Sequence, residues 1–313
     1  MSRPAVDLVV PFAGSAADLQ QLCARLASVE LRAGDTVLVV DNTPERDHNP
    51  LAREPGLPVL RAAEHRTPAF ARNRGAAQGS SEWIVFFDAD STPSANLLDR
   101  YFEPEPGART AVLAGGVQDE PVPRDAPSAA RYAYIRAAMS QENTFGFGDW
   151  AYPVTANVAV RRAAFEAVGG FRDDIRAAED ADLSYRLQAA GWEVERREGA
   201  SVTHRSRQTL RSFAAQKAIH GAGSAWLERH YEGVFPARRR PGLLWWGLRT
   251  TARGLVQAIR RRDRDRALWA LYEPVEVVVW EFGRSLPNER PLTPRVWLRA
   301  LRHLRPGRGA PRV

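Results

Sequence analysis

Along the first ninety residues, short continuous apolar runs alternate with stretches whose apolar positions recur every three or four residues. Val6 to Val10 is a β-branched run closed by Pro11, which predicts a strand whose C-terminal end meets a loop. From Ala17 to Val29, the side chains Leu19, Leu22, Leu26 and Val29 share one helical face. Thr36 to Val40 predicts a second buried strand, Leu57 to Leu60 a weaker third, and Pro68 to Gln78 a helix. Trp83 to Phe87 is a strong fourth strand that stops at Asp88-Ala89-Asp90. Such alternation implies an α/β fold with a mostly parallel sheet covered on both faces, and ligands at the carboxyl ends of its strands. Pro11, Asp41 and Asp88 fall at such ends.

The pattern then weakens. Residues 103–128 are rich in Pro, Gly and acids and predict loops around a short strand at Ala111 to Leu113. Val154 to Val160 predicts a strand, Arg162 to Val168 a helix stopped by Gly169-Gly170, and Asp180 to Ala190 a helix stopped by Gly191. Val194 and Ala200 to Thr203 predict short strands, the second ending at His204. Helices follow at Thr209 to Tyr231, Leu243 to Arg262 and Arg266 to Gly283, and the final RHLRPGRGAPRV reads as a disordered basic end. This divides the chain into residues 1–100 and 101–208, two halves of one domain, and a helical extension over 209–313.

Composition narrows the class. A chain of 313 residues with 44% hydrophobic and 26% charged positions can bury a large core. The single Cys23 excludes an internal disulfide and a cysteine zinc site, and suits a reducing compartment. The opening residues do not resemble a secretory leader, and no stretch is long and apolar enough for a membrane-spanning helix, so the expected location is cytoplasmic or peripheral on the inner face of the membrane. The net charge of +7 conceals a segregation. From Arg205 to Val313 there are 23 Lys+Arg against 8 Asp+Glu, a balance of +15, whereas the preceding residues carry 21 against 29, a balance of −8. The two parts therefore present different surfaces.

Candidate chemistry gathers at the strand ends. Asp88 and Asp90 could both turn toward a divalent ion, and oxygen ligands of this kind suit Mg2+ or Mn2+ bound together with phosphate. The same residues also suit a turn, and Ser91-Thr92-Pro93 reads as a helix start. Asp41-Asn42 could accept from the ring N–H of a pyrimidine base, or merely form a turn before Pro44. Arg72-Asn73-Arg74-Gly75 is either a phosphate-binding segment or a solvated helix face. Glu179, Asp180 and Asp182 open a helix, where acids favour the dipole; one of them could instead act as a general base for a sugar hydroxyl. His204, at a strand end, is a candidate metal ligand.

Taken in order, VVPF, VLVVDN, ARNRGAA, WIVFFDAD, TANVAVRRAAFEAVGGF, AEDADLSYRLQAAGW and ASVTH resemble family 2 glycosyltransferases, which have the GT-A fold. The resemblance runs from Val6 to His204. It implies an inverting, metal-dependent transfer from a nucleotide-diphosphate sugar to a hydroxyl acceptor, with Mn2+ or Mg2+ as cofactor. On that resemblance Pro11, Phe12, Asp41, Asn42, Arg72, Asn73, Asp88 and Ala89 would contact the nucleotide sugar, and Ala156 and Asn157 the acceptor. Asp90, Asp88 and His204 would hold the metal; Asp180, with Glu179 beside it, would be the base. Asn42 stands where a second Asp is usual and Thr43-Pro44 where Gly-Ser is usual, which leaves the nucleotide open. The Trp motif of processive synthases is absent, which favours single addition.

Two rivals belong to other classes. A sugar nucleotidyltransferase would carry a Gly-rich basic loop after the first strand, but Pro11 to Ser15 has one glycine and no cation. An inactive nucleotide-sugar-binding module would show a broken acid set, and here Asp88, Asp90, Asp180 and His204 are all present. In the tail, Trp245, Leu248, Ala252, Leu255 and Ile259 share a helical face flanked by Arg249, Arg253 and Arg260. That pattern suits an anionic membrane surface and a glycan or lipid-linked acceptor, or else packing on the rest of the protein. No nucleic-acid recognition motif accompanies the positive charge.

Overall fold

A computed structural model describes residues 3–44, 56–205, 209–234 and 242–289. The elements run β1 (Val6–Phe12), α1 (Ala16–Leu26), β2 (Thr36–Asp41), β3 (Val59–Arg61), α2 (Pro68–Ala76), β4 (Trp83–Phe87), β5 (Ser91–Pro93) and α3 (Leu97–Arg100). They continue with β6 (Thr110–Asp119), α4 (Ser128–Ile135), α5 (Glu142–Phe145), β7 (Asn157–Arg161), α6 (Arg162–Ala167), α7 (Glu179–Ala189) and β8 (Glu193–His204). The last three are α8 (Leu210–His230), α9 (Leu243–Arg261) and α10 (Arg264–Gly283). The basic end expected to be disordered lies outside the described residues.

The eight strands form one sheet in the order β3-β2-β1-β4-β7-β6-β8-β5. β1 pairs in parallel with β2 and β4, β2 with β3, and β6 with β8, whereas β7 runs antiparallel to both neighbours and β5 antiparallel to β8. Side chains alternate across the sheet, and both faces are apolar. Val6, Leu8, Val10, Trp83, Val85 and Phe87 pack on one side with Leu19, Leu22 and Leu26 of α1. Val9, Ile84 and Phe86 pack on the other with Ala69 and Ala71 of α2 and with Leu183 and Leu187 of α7. This is why the central strands read as unbroken apolar runs.

Two expectations fail, each for a local reason. Ser91–Pro93 starts no helix; it pairs with Val202 to His204 as the edge strand, where Pro93 is tolerated, and the helix begins at Leu97. The short strand expected at Ala111 to Leu113 extends into residues read as loop and forms the ten-residue β6, eight of whose positions are buried. Gly115 resembles a loop residue in sequence, yet a Cβ there would lie 2.2 Å from the Asn157 amide nitrogen and 2.6 Å from the Ala200 carbonyl oxygen. Close approach of three strands therefore requires glycine at that position.

Two compact units partition the chain. The first comprises Met1–Pro121, Ala137–Asp173 and Glu179–Ser206; the second comprises Val122–Arg136, Asp174–Ala178 and Arg207–Val313. The helical unit thus takes in two stretches that precede residue 209. Within it, the buried Glu276 of α10 accepts from the Tyr132 hydroxyl at 2.9 Å and pairs with the buried Lys217 at 2.9 Å and the partly exposed Arg136 at 3.1 Å. Replacing Glu276 by Leu leaves both cations without that partner and is expected to destabilise by about 3–5 kcal/mol. Urea denaturation checks this; an unchanged midpoint would show the knot to be dispensable.

Candidate active site

β4 ends at Phe87, and the backbone N–H of Asp88 donates to Ala156 at 3.3 Å across the sheet. Ser91 N–H then donates back to the Asp88 carbonyl at 3.0 Å, a tight turn with Asp90 inside it. Arg205 N–H donates to the Asp90 carbonyl at 3.0 Å, so the turn is tied to the end of β8. Because β8 lies between β6 and β5, His204 is the register partner of Ser91 on one side and Asp119 on the other. Its Nε2 is 3.5 Å from the half-exposed Asp90 carboxylate, and its Nδ1 is 3.3 Å from the buried Asp119 carboxylate. Burial alone would lower the imidazole pKa, but the hydrogen bonds and charges of Asp119 and Asp90 outweigh it and push it up to about 9. Asp119 was not among the residues singled out from sequence. Its signal, an acid ending an apolar strand, is interrupted by Gly115-Gly116.

The acid cluster resolves into three roles. Asp182 is fully buried and takes two hydrogen bonds from Arg186, at 2.7 and 2.9 Å, so it is structural. Glu179 pairs with Arg72 at 3.3 Å, and the other guanidinium nitrogen of Arg72 pairs with Asp88 at 2.6 Å. Arg72 thereby bridges the strand-end acids and the start of α7, with its guanidinium over the Phe171 ring. Asp180 has no ion pair among the described residues; one carboxylate oxygen accepts from Ala181 N–H at 2.8 Å. Burial, then the neighbouring Glu179 carboxylate, push its pKa up to about 7. Burial raises Glu179 as well, against the pull of Arg72. The Tyr152 phenol, missed from sequence, is raised well above its ordinary value by burial and by Asp180, which places it in the field of this pair.

Other expected contacts are occupied internally. Asn42 donates both amide hydrogens to backbone, to Ala62 at 2.6 Å and to His65, so its N–H groups tie β2 to the loop before α2. The Asp41 carboxylate accepts from Thr43 N–H at 2.9 Å and pairs with Arg61 at 3.3 Å. Asn73 exchanges two hydrogen bonds with the Phe171 backbone, at 2.8 and 3.0 Å. Asn157 is fully buried, accepting from the Tyr101 hydroxyl and donating to Gly116 at 2.9 Å and Ala200 at 2.7 Å, so its amide holds three strands together. Ala156 is buried beside it, Pro11 and Phe12 are buried at the end of β1, and the Ala89 carbonyl accepts from Arg25 at 2.7 Å.

Among the described residues no three His, Cys, Asp or Glu side chains already enclose a cation position. Asp90 and His204 nonetheless present an oxygen and a nitrogen to each other across 3.5 Å at a half-open edge. Such a pair could hold a divalent ion that takes its remaining ligands from diphosphate and water.

A family model described as "Glycosyl transferase family group 2" matches residues 83–271. The chain is 28% identical over 264 residues to a pre-mycofactocin glycosyltransferase of Mycobacterium tuberculosis, covering 80% of this chain and 53% of that protein. It is 25% identical over 202 residues to the glycosyltransferase AglE of Haloferax volcanii, covering 61% and 64%, and 27% identical over 182 residues to the succinoglycan biosynthesis protein ExoA of Rhizobium meliloti, covering 57% and 53%. The chain thus spans 53–64% of the length of these relatives. Among solved structures, the mannosyltransferase PcManGT of Pyrobaculum calidifontis, in complex with GDP-Man and Mn2+, superposes with a TM-score of 0.55 at 16% identity, covering 88% of this chain and 87% of that one. At that identity the likeness is one of fold, and it agrees with the GT-A architecture expected from the sequence. The family match takes in more than half of the chain, including the Asp88–Asp90 turn, Asp119, Asp180 and His204, and the chain therefore belongs to glycosyl transferase family group 2.

Proposed function

We propose that the protein transfers a sugar from a nucleotide-diphosphate sugar to a hydroxyl acceptor in a single inverting displacement that depends on Mn2+ or Mg2+. The observation that carries this reading is the half-buried Asp180 carboxylate, which has no ion pair among the described residues and is tied through Glu179 and Arg72 to the Asp88–Asp90 turn. The acceptor oxygen attacks the anomeric carbon while the bond from that carbon to the diphosphate oxygen breaks. Asp180 accepts the hydroxyl proton, and the electron pair of the broken bond leaves with the nucleoside diphosphate. A divalent ion held by Asp90 and His204 would supply charge stabilisation for the departing diphosphate. Arg72, paired with Asp88 and Glu179, would hold these two carboxylates in place beside the diphosphate. The test is a hydrolysis screen of nucleotide sugars, starting with GDP-mannose and UDP-sugars, with and without Mn2+, followed by NMR of the anomeric configuration of transferred product. Retained configuration would overturn the single displacement.

The acceptor reading, a lipid-linked or cell-envelope glycan met at an anionic membrane surface, is supported by α9. Gly247 and Ala258 form its buried side, whereas Trp245 is 70% exposed, Leu248 68% and Ile259 76%, on the face flanked by Arg249, Arg253 and Arg260. The helix contains no carboxylate. Trp and Leu beside Arg suit the boundary between headgroups and acyl chains, each Arg adding about 1 kcal/mol on an anionic surface. No described helix is long and apolar enough to cross a membrane, so contact would be lateral. The chain should float with phosphatidylglycerol vesicles at low salt and not with phosphatidylcholine vesicles. Flotation should weaken at high salt and be lost on combined Trp245→Ser, Leu248→Ser and Ile259→Ser replacement, which leaves the buried side untouched. Equal flotation of the variant would remove α9 from the contact, and a concentration-dependent dimer lost in the variant would assign the face to a second copy.

A further inference from the structure

We propose that Asp119 is a positioning residue for the metal site: it fixes the His204 ring so that Nε2, and not Nδ1, faces the incoming ion. This rests on the metal-dependent reading above and adds a residue to it. Asp119 and His204 are 85 positions apart in sequence, and only the parallel pairing of β6 with β8 brings them together. They are direct register partners, and Glu120 N–H donates to the His204 carbonyl at 2.8 Å, so the backbone on which the ring stands is held by the ladder.

The two ring nitrogens face different surroundings. Nδ1 is 3.3 Å from Asp119, whose side chain is 3% exposed; Nε2 is 3.5 Å from Asp90, whose side chain is 47% exposed. An ionised carboxylate can only accept, so the nitrogen facing the interior carries its hydrogen and donates to Asp119. The other Asp119 oxygen accepts from Met139 N–H at 3.4 Å, which anchors the carboxylate from outside the β6/β8 ladder. Nε2 is thereby turned to the side where Asp90 meets solvent. A carboxylate behind a ligating imidazole sets both its orientation and the nitrogen that bonds the metal, and loss of such a partner costs about 10–100-fold in metal affinity.

The experiment compares the full chain with Asp119→Leu and Asp119→Asn. Mn2+ is titrated by electron paramagnetic resonance, alone and with GDP or UDP, and the His204 tautomer is read from ring nitrogen shifts by NMR with Mg2+ present. Asp119→Leu should weaken Mn2+ binding by roughly 10–100-fold and unlock the tautomer. Asp119→Asn, whose amide oxygen can still accept from Nδ1, should preserve the tautomer and lose less affinity. In a His204→Ala background, Asp119→Leu should cause no further loss of Mn2+ binding, a coupling that general loosening of the fold would not produce. Should Asp119→Leu fail to fold, Asp119→Asn and the coupling of Asp119→Asn with His204→Ala still decide. Mn2+ binding by the unaltered chain that the variants match, with the tautomer unchanged, would overturn the assignment of Asp119 alone. No Mn2+ binding by the unaltered chain under any nucleotide would overturn the metal-dependent reading and this one with it.

Discussion

Asp180→Asn is expected to lower sugar transfer by about 10²–10⁴-fold while donor binding stays within a few-fold of the unaltered chain, the usual range for loss of a general base. Of the three acids at the start of α7, Asp182 is buried against Arg186 and Glu179 is paired with Arg72; only Asp180 is left to accept a proton. Its raised pKa sets the pH dependence. The working form is the carboxylate, so the transfer rate should rise as pH increases through about 7 and level off above it. With Asn at this position that ascending limb should vanish. Transfer and pH profile are measured at saturating donor, and donor affinity by calorimetry. Normal transfer by Asp180→Asn together with a large loss in Glu179→Gln would move the base by one residue. Such a result is chemically plain to read, since Glu179→Gln also releases one arm of Arg72.

Removing the metal is the second large effect. Chelation by EDTA should abolish most nucleoside diphosphate affinity, and Asp90→Ala should reproduce the loss in the presence of Mn2+. Partners one shell away from a metal ligand already cost about 10–100-fold, so loss of a ligand itself is expected at or beyond the upper end of that range. Asp90 suits the test because its carboxylate is half-exposed and its place in the turn depends on its backbone carbonyl, which Ala retains. Asp88→Ala is a poorer probe, because it also strips a partner from the buried Arg72 guanidinium. Nucleotide binding unchanged by EDTA would remove the ion from the donor site and leave Arg and backbone groups to hold the diphosphate.

What the sequence made legible follows from physical range. The β1, β2 and β4 runs could be read because strands buried on both faces are mostly apolar, and the acids that end β2 and β4 are adjacent in sequence. β6 could be read only at Ala111 to Leu113, because its Gly115 is demanded by Asn157 and Ala200, partners tens of residues away. For the same reason Asp119 went unseen: nothing near it in sequence marks the His204 it meets. Asn42, Asn73 and Asn157 show the converse. Each is a polar residue at or near a strand end or within a short helix, where a ligand contact and a structural tie demand the same chemistry. Only the partner distinguishes the two, and in all three the partner is backbone or another buried side chain. Arg72 lies between these cases, a cation beside the strand-end acids whose charge is already matched by two carboxylates.

The interleaving of the two units has a consequence for anyone wishing to dissect or recombine the protein. The helical unit is stitched from three separated stretches, so it has no single seam at which to cut. Tyr132 of α4 stacks on Tyr272 and meets Phe213 edge-on, while the Ala177 backbone and the Asn288 amide exchange hydrogen bonds at 3.2 and 2.9 Å. A chain ended after β8 would expose the undersides of both early stretches, and one of these, Asp174–Ala178, leads directly into the helix that carries Asp180. A chimera that borrows only the C-terminal helices of a relative would inherit half of each contact. Modular exchange therefore has to move α4, residues 174–178 and the C-terminal helices as one block, and a truncation that abolishes the proposed transfer says nothing by itself about membranes.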